Sequence, residues 1–104
     1  MNKNSNTRTV TVRNPQGLHA RPADLLVRMA SGYQSNILIG RDGELVDCKS
    51  ILSLLTLGAS QGTVLTVSAD GGDAEDALSA IQGLFDAGFD ETNEVPGAES
   101  AFDG

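Results

Sequence analysis

Gly17-Leu18-His19-Ala20-Arg21-Pro22, read GLHARP, holds the chain's only histidine and a proline at the entrance to a helical pattern. Downstream, Ala23, Leu26, Val27 and Ala30 recur at i, i+3, i+4 and i+7, one apolar face of a helix. Gly32 follows as a C′ stop. A helix begun near Ala20 makes His19 its N-cap and puts Pro22 in the first turn, where a missing N–H costs little. Upstream, Asn14-Pro15-Gln16-Gly17 is turn chemistry. Before it, Thr9-Val10-Thr11-Val12 alternates polar and apolar, the period of a half-buried strand. The stretch is thus the joint between a strand and a helix.

The rest of the chain extends that unit. Ile37 and Ile39 share one face of a second strand, Asp42-Gly43 signals a hairpin, and Glu44-Leu45-Val46 begins the return strand. Ser50 opens a short helix over 51–57, stopped by Gly58. Gly62 leads into a strand over 63–69. Asp73 caps a last helix whose stripe is Ala74, Ala77, Leu78, Ile81, Leu84 and Phe85, with Gly88 at C′ and Phe89 placed to pack back on Leu84. The order is βαββαβα. Helices with one apolar face and alternating strands predict an α+β fold in two layers, a four-stranded sheet with three helices on one face. The other face is wet, which suits Thr9, Thr11, Thr66 and Ser68.

Composition bounds the function. At 104 residues the chain is one domain, with a core of Val, Ile, Leu and Ala and no Trp. One cysteine excludes an internal disulfide and a multi-cysteine zinc site. No leader pattern or membrane-length apolar run is present, so a cytoplasmic protein without membrane insertion is expected. A net charge of −7 argues against nucleic acid. Five acids and no base fall between Asp90 and Gly104. That tail, 90–104, and the polar start, 1–7, are expected to be disordered, leaving a folded unit over 8–89.

The start of the first helix is where chemistry concentrates. Its first-turn amides and macrodipole make an anion site. Arg21 adds a fixed charge and a planar donor fork suited to phosphoryl oxygens. An imidazole titrates near neutrality and can act as a nucleophile. The combination suits transient phosphorylation of His19. A plain polar helix cap fits the same residues. One histidine, a distant Cys48 and the nearby Asp24 do not make a metal ligand set. No elbow motif supports a Ser/His/Asp triad.

GLHARP, together with Lys49-Ser50-Ile51-Leu52-Ser53-Leu54-Leu55-Thr56-Leu57-Gly58 and Gln61-Gly62-Thr63, resembles HPr. HPr is the histidine-containing phosphocarrier of the bacterial phosphoenolpyruvate-dependent phosphotransferase system. The similarity runs from about Val10 to Phe89, with both signatures in the family's spacing. The resemblance implies an open-faced β-sandwich with an antiparallel sheet. It implies that His19 receives a phosphoryl group on Nδ1 from enzyme I and passes it to an enzyme IIA domain in sugar uptake, with Arg21 steadying the phosphoryl oxygens. Such a protein is an intermediate in a relay rather than a stand-alone enzyme, needs no cofactor, and is expected to be a monomer. In many family members from bacteria with an HPr kinase/phosphorylase, the serine that matches Ser50 is phosphorylated, which weakens docking to enzyme I; the serine is also present in members whose hosts lack the kinase. Ala20, Leu25, Met29, Ile51, Leu52 and Leu55 match the partner-docking surface.

Two features depart from the best-known sugar-transport members. Ser31 and Ser53 stand where lysines are frequent, and the ending Leu84-Phe85-Asp86-Ala87-Gly88-Phe89-Asp90-Glu91 resembles the nitrogen-regulatory branch. The alternative is therefore a nitrogen-branch or regulatory HPr-like protein, controlled at Ser50 and acting by protein–protein binding.

Overall fold

The structure, a computed structural model, describes residues 5–90. Its elements are β1 (Ser5–Thr11), α1 (Ala20–Ser31), β2 (Asn36–Arg41), β3 (Glu44–Asp47), α2 (Ile51–Thr56), β4 (Val64–Asp70) and α3 (Ala74–Asp86), followed by a 3-10 turn at Gly88–Asp90. The strands form one antiparallel sheet in the order β1-β4-β2-β3. The expected βαββαβα order and α+β class hold, with α1, α2 and α3 contributing buried side chains to a single core.

Period-2 burial explains the sheet. Val10, Ile37, Ile39, Leu65, Val67 and Ala69 point into the core. Across the ladder, Thr9 faces Thr66 and Thr7 faces Ser68 on the opposite, more accessible side. That side also carries the exposed apolar residues Leu38, Leu45 and Val64, which the wet-face expectation did not anticipate. The β2–β3 hairpin turns through Asp42 and Gly43, both left-handed with φ of 56° and 81°. Those angles are what a two-residue turn matched to strand twist requires.

The helices bury one stripe each. Ala23, Leu26 and Ala30 of α1, Leu54 of α2, and Ala77, Leu78, Ile81 and Phe85 of α3 are all buried. Each fully buried Leu, Ile or Phe contributes about 1.5–3 kcal/mol of transfer free energy. Arg8 ties α3 to β1, donating to Gln82 Oε1 at 2.9 Å and to Glu75 Oε1 at 3.0 Å.

Several expectations are corrected. Ser5–Thr7 belong to β1, paired with Asp70, Ala69 and Ser68, so the folded unit starts earlier than Arg8. Backbone pairing of an edge strand such as β1 makes little demand on side-chain type, which is why polar residues serve. The remainder of the expected disordered segments, residues 1–4 and 91–104, lies outside the described residues. Gly32 ends α1 with φ −76°, a right-handed C-cap that does not use its conformational freedom. Asp73 is the N-cap of α3 by position, yet makes no side-chain cap bond. Its carboxylate accepts instead from the Gln34 amide at 2.8 Å, the Ser35 amide at 3.0 Å and the Ser35 hydroxyl. Phe89 packs edge-on against Phe85, ring centroids 4.8 Å apart, and Leu84 packs against the same core.

Candidate functional site

The loop after β1 is held by backbone bonds to the loop before β4. Val12 N–H donates to Thr63 O at 2.9 Å, Gly62 N–H to Val12 O at 2.7 Å, and Leu18 N–H to Ala59 O at 2.9 Å. Asn14 and Gly17 close the intervening turn, with Gly17 N–H on Asn14 O at 3.0 Å. Gly17 has φ +73°, and a Cβ there would stand 2.5 Å from Ala59 O. Only glycine meets both demands.

This anchored loop delivers His19 to the N-cap of α1 in extended conformation, φ −86° and ψ −167°. Its carbonyl accepts Ala23 N–H at 3.0 Å, and its own N–H turns back to Gly17 O at 2.9 Å. The imidazole makes no capping bond to α1, so the plain helix-cap reading of the side chain does not hold. Pro22 has no N–H, which leaves the amides of Ala20 and Arg21 as the first-turn donors at the positive end of the helix.

The half-buried imidazole borders two open hollows. One, of about 370 Å³, is lined by Pro15, Gln16, His19 and Arg21. The second shares Gln16 and His19 and continues to Leu55, Gly58, Ala59 and Ser60. His19 and Arg21 therefore meet around one space, as their spacing predicts, and α2 is brought beside it.

The apolar surface divides. Leu52 is 73% exposed, whereas Leu25, Ile51 and Leu55 lie at 36–38%, enough to offer a contact face. Ala20 is exposed as well. Met29 differs: it is half-buried and packs on the core. Lys49 Nζ donates to Tyr33 O at 2.8 Å, which holds the head of that lysine on the loop after α1. Asp24 is spent on Arg28 at 2.8 Å, one turn along α1. No group of three metal-ligating side chains occurs among the described residues.

Ser50 is the N-cap of α2. Its hydroxyl accepts Ser53 N–H at 3.3 Å and its carbonyl accepts Leu54 N–H at 3.1 Å. Cys48, two residues earlier, is fully buried. Burial pushes its thiol up to about 12, with the Asp47 carboxylate adding to the effect, so it is no nucleophile at neutral pH. Asn14, read from sequence only as a turn residue, is also fully buried and its amide donates to Gly17 O. A polar residue in an Asn-Pro turn gives no sequence sign of burial.

The model of the family described as the PTS HPr component phosphorylation site matches residues 6–87. The chain belongs to the HPr family. A phosphocarrier protein HPr from Xylella fastidiosa is 44% identical over 82 residues, covering 79% of this chain and 92% of that protein. The crystal structure of HPr-C-His from Thermoanaerobacter tengcongensis superposes with a TM-score of 0.79 at 42% identity, covering 83% of this chain and 97% of that one. An HPr dimer from the same organism superposes at 0.65, also at 42% identity, covering 77% and 92%. HPr proteins are phosphocarriers of the phosphotransferase system, and the open-faced sheet with three helices is their fold. With a dimer among the solved relatives, HPr membership alone does not establish the expected monomer. No helix among the described residues is long and apolar enough to cross a membrane.

Proposed function

We propose that His19 is the phosphoryl acceptor of this chain, charged by enzyme I and discharged to an enzyme IIA domain during sugar uptake. The observation that carries this reading is the placement of His19. It is an N-cap whose imidazole is not used for capping, and it lines one hollow with Arg21. In the forward step Nδ1 attacks phosphorus, a P–N bond forms, and the bond from phosphorus to the donor breaks. Transfer to the acceptor domain reverses the roles. The Ala20 and Arg21 amides, the dipole of α1 and the Arg21 guanidinium stabilise the phosphoryl oxygens.

Partners dock on the face formed by Ala20, Leu25, Ile51, Leu52 and Leu55, with Met29 at its margin. The apolar centre supplies affinity, while Arg21 and Lys49 favour partners bearing carboxylates. The protein acts as a cytoplasmic monomer, and the acceptor rather than the carrier sets which sugar moves. Ser50 is the site at which HPr kinase/phosphorylase regulates docking.

Incubation with phosphoenolpyruvate and a cognate enzyme I, followed by intact-mass analysis, tests the proposal. One acid-labile phosphoryl group is expected on the wild type and none on His19→Ala. Arg21→Ala is expected to slow transfer by about one to two orders of magnitude, the loss of a charged hydrogen bond of about 1.5–3 kcal/mol. Equal labelling of His19→Ala would overturn the assignment.

A further inference from the structure

We infer that Asn14 is a positioning residue for His19, acting through the peptide of Gly17. Three observations combine. The Asn14 side chain is fully buried, so it is not a surface turn residue. It holds Gly17 at two points: its backbone oxygen accepts Gly17 N–H at 3.0 Å, and its side-chain amide donates to Gly17 O. That same Gly17 oxygen accepts the backbone N–H of His19 at 2.9 Å. The carbonyl that orients the His19 backbone is thus itself oriented by Asn14.

The arrangement has a chemical use. Gly17 is left-handed and wedged against Ala59 O, so its peptide could tilt only by breaking contact with the β4-side loop. A carbonyl has two lone pairs, and here both have a donor. Fixing it turns the His19 N–H away from the helix mouth and sets the direction in which the side chain leaves the N-cap. A reacting nitrogen must stand within a few tenths of an ångström of its productive position, and small misplacements are costly in rate. Asn14 lines neither hollow beside His19, which suits a role in placement.

The inference rests on His19 being the phosphoryl acceptor, and the test separates the two. Asn14→Ala removes the amide. Asn14→Ser keeps the turn preference while its hydroxyl is one bond too short to reach Gly17 O, and it serves if the alanine variant folds poorly. Amide hydrogen exchange is measured for His19 and, as a control on global stability, for Val67 in β4. Transfer from phospho-enzyme I is measured well below the melting temperature. The His19 amide is expected to exchange at least about tenfold faster with Val67 unchanged. The maximal transfer rate is expected to fall about tenfold with KM unchanged, the equivalent of about 1.4 kcal/mol. Unchanged His19 exchange, or an equal loosening of Val67, overturns the inference. If the wild type takes no phosphoryl group while His19 exchange still responds to Asn14, the positioning is upheld and the phosphoryl-acceptor reading is what fails.

Discussion

Phe89 stands edge-on to Phe85 at 72° between ring planes, and it does so from a left-handed backbone with φ 54°. A non-glycine residue pays about 1–3 kcal/mol for such a conformation, so the packing must outweigh it. It does: Phe89 is 1% exposed and closes the core beneath the end of α3. Phe89→Ala keeps the backbone cost and loses the ring, with an expected destabilisation of about 3–5 kcal/mol. Truncation after Glu91 keeps Phe89 and is expected to leave the melting temperature nearly unchanged. Denaturant melts of both variants check this, and a large loss on truncation would mean that the acidic tail packs on the domain.

Much of this architecture was legible because periodicity survives in sequence. The stripes of α1 and α3 and the alternation of β1 and β4 need only local spacing to be seen. His19 and Arg21 share a helix turn, so their convergence on one space was legible too. What escaped notice depends on distant partners. The Asp73 carboxylate looked like a local cap, but Gln34 and Ser35 offer it three donors from the loop after α1. The Phe89–Phe85 ring pair follows a reversal of three consecutive left-handed residues, Gly88, Phe89 and Asp90, of which only the glycine announces itself. Asn14 is buried in a loop that Val12 and Leu18 bond to the segment before β4, a long-range contact that local spacing does not announce.

The Asp73 clasp predicts an acid-sensitive contribution to stability. The Ser35 hydroxyl first, and the Gln34 amide next, hold the Asp73 carboxyl below its ordinary value of 3.8. A depressed carboxyl stabilises the fold fully above the unfolded value and loses that effect as pH falls through the folded one. Asp73→Asn cannot accept the three donors in the same way. Its melting temperature is expected to lie below wild type at neutral pH and to converge on it in acid. A constant gap across the pH range would contradict the clasp.

Cys48 predicts the opposite limb. Its folded thiol titrates near 12 against an ordinary 9.0. The unfolded chain therefore releases this proton first as pH rises. The contribution is complete below about pH 9 and declines towards pH 12 by up to about 1.4 kcal/mol per unit. Comparison with Cys48→Ala isolates it from other groups that titrate there, the wild type losing stability more steeply between those limits. The same burial predicts slow alkylation of the native thiol at neutral pH and fast alkylation in denaturant.

Ser50 separates a structural role from a regulatory one. As N-cap it holds Ser53 N–H at 3.3 Å, a long bond, so Ser50→Ala is expected to cost towards the lower end of about 0.5–2 kcal/mol and to leave transfer to His19 nearly normal. Aspartate is also a good N-cap, so Ser50→Asp should fold. Its charge, however, would stand beside Ile51, Leu52 and Leu55, whose docking requires loss of water. It would also repel a partner whose carboxylates face Arg21 and Lys49. Ser50→Asp is therefore expected to bind enzyme I about tenfold more weakly, an interaction difference of about 1.4 kcal/mol. The loss should reside in binding, because Ser50 lines neither hollow beside His19. Titration of wild type, Ser50→Ala and Ser50→Asp against enzyme I, with thermal melts of all three, decides the matter. Equal affinity for wild type and Ser50→Asp would leave Ser50 as the cap of α2 and nothing more.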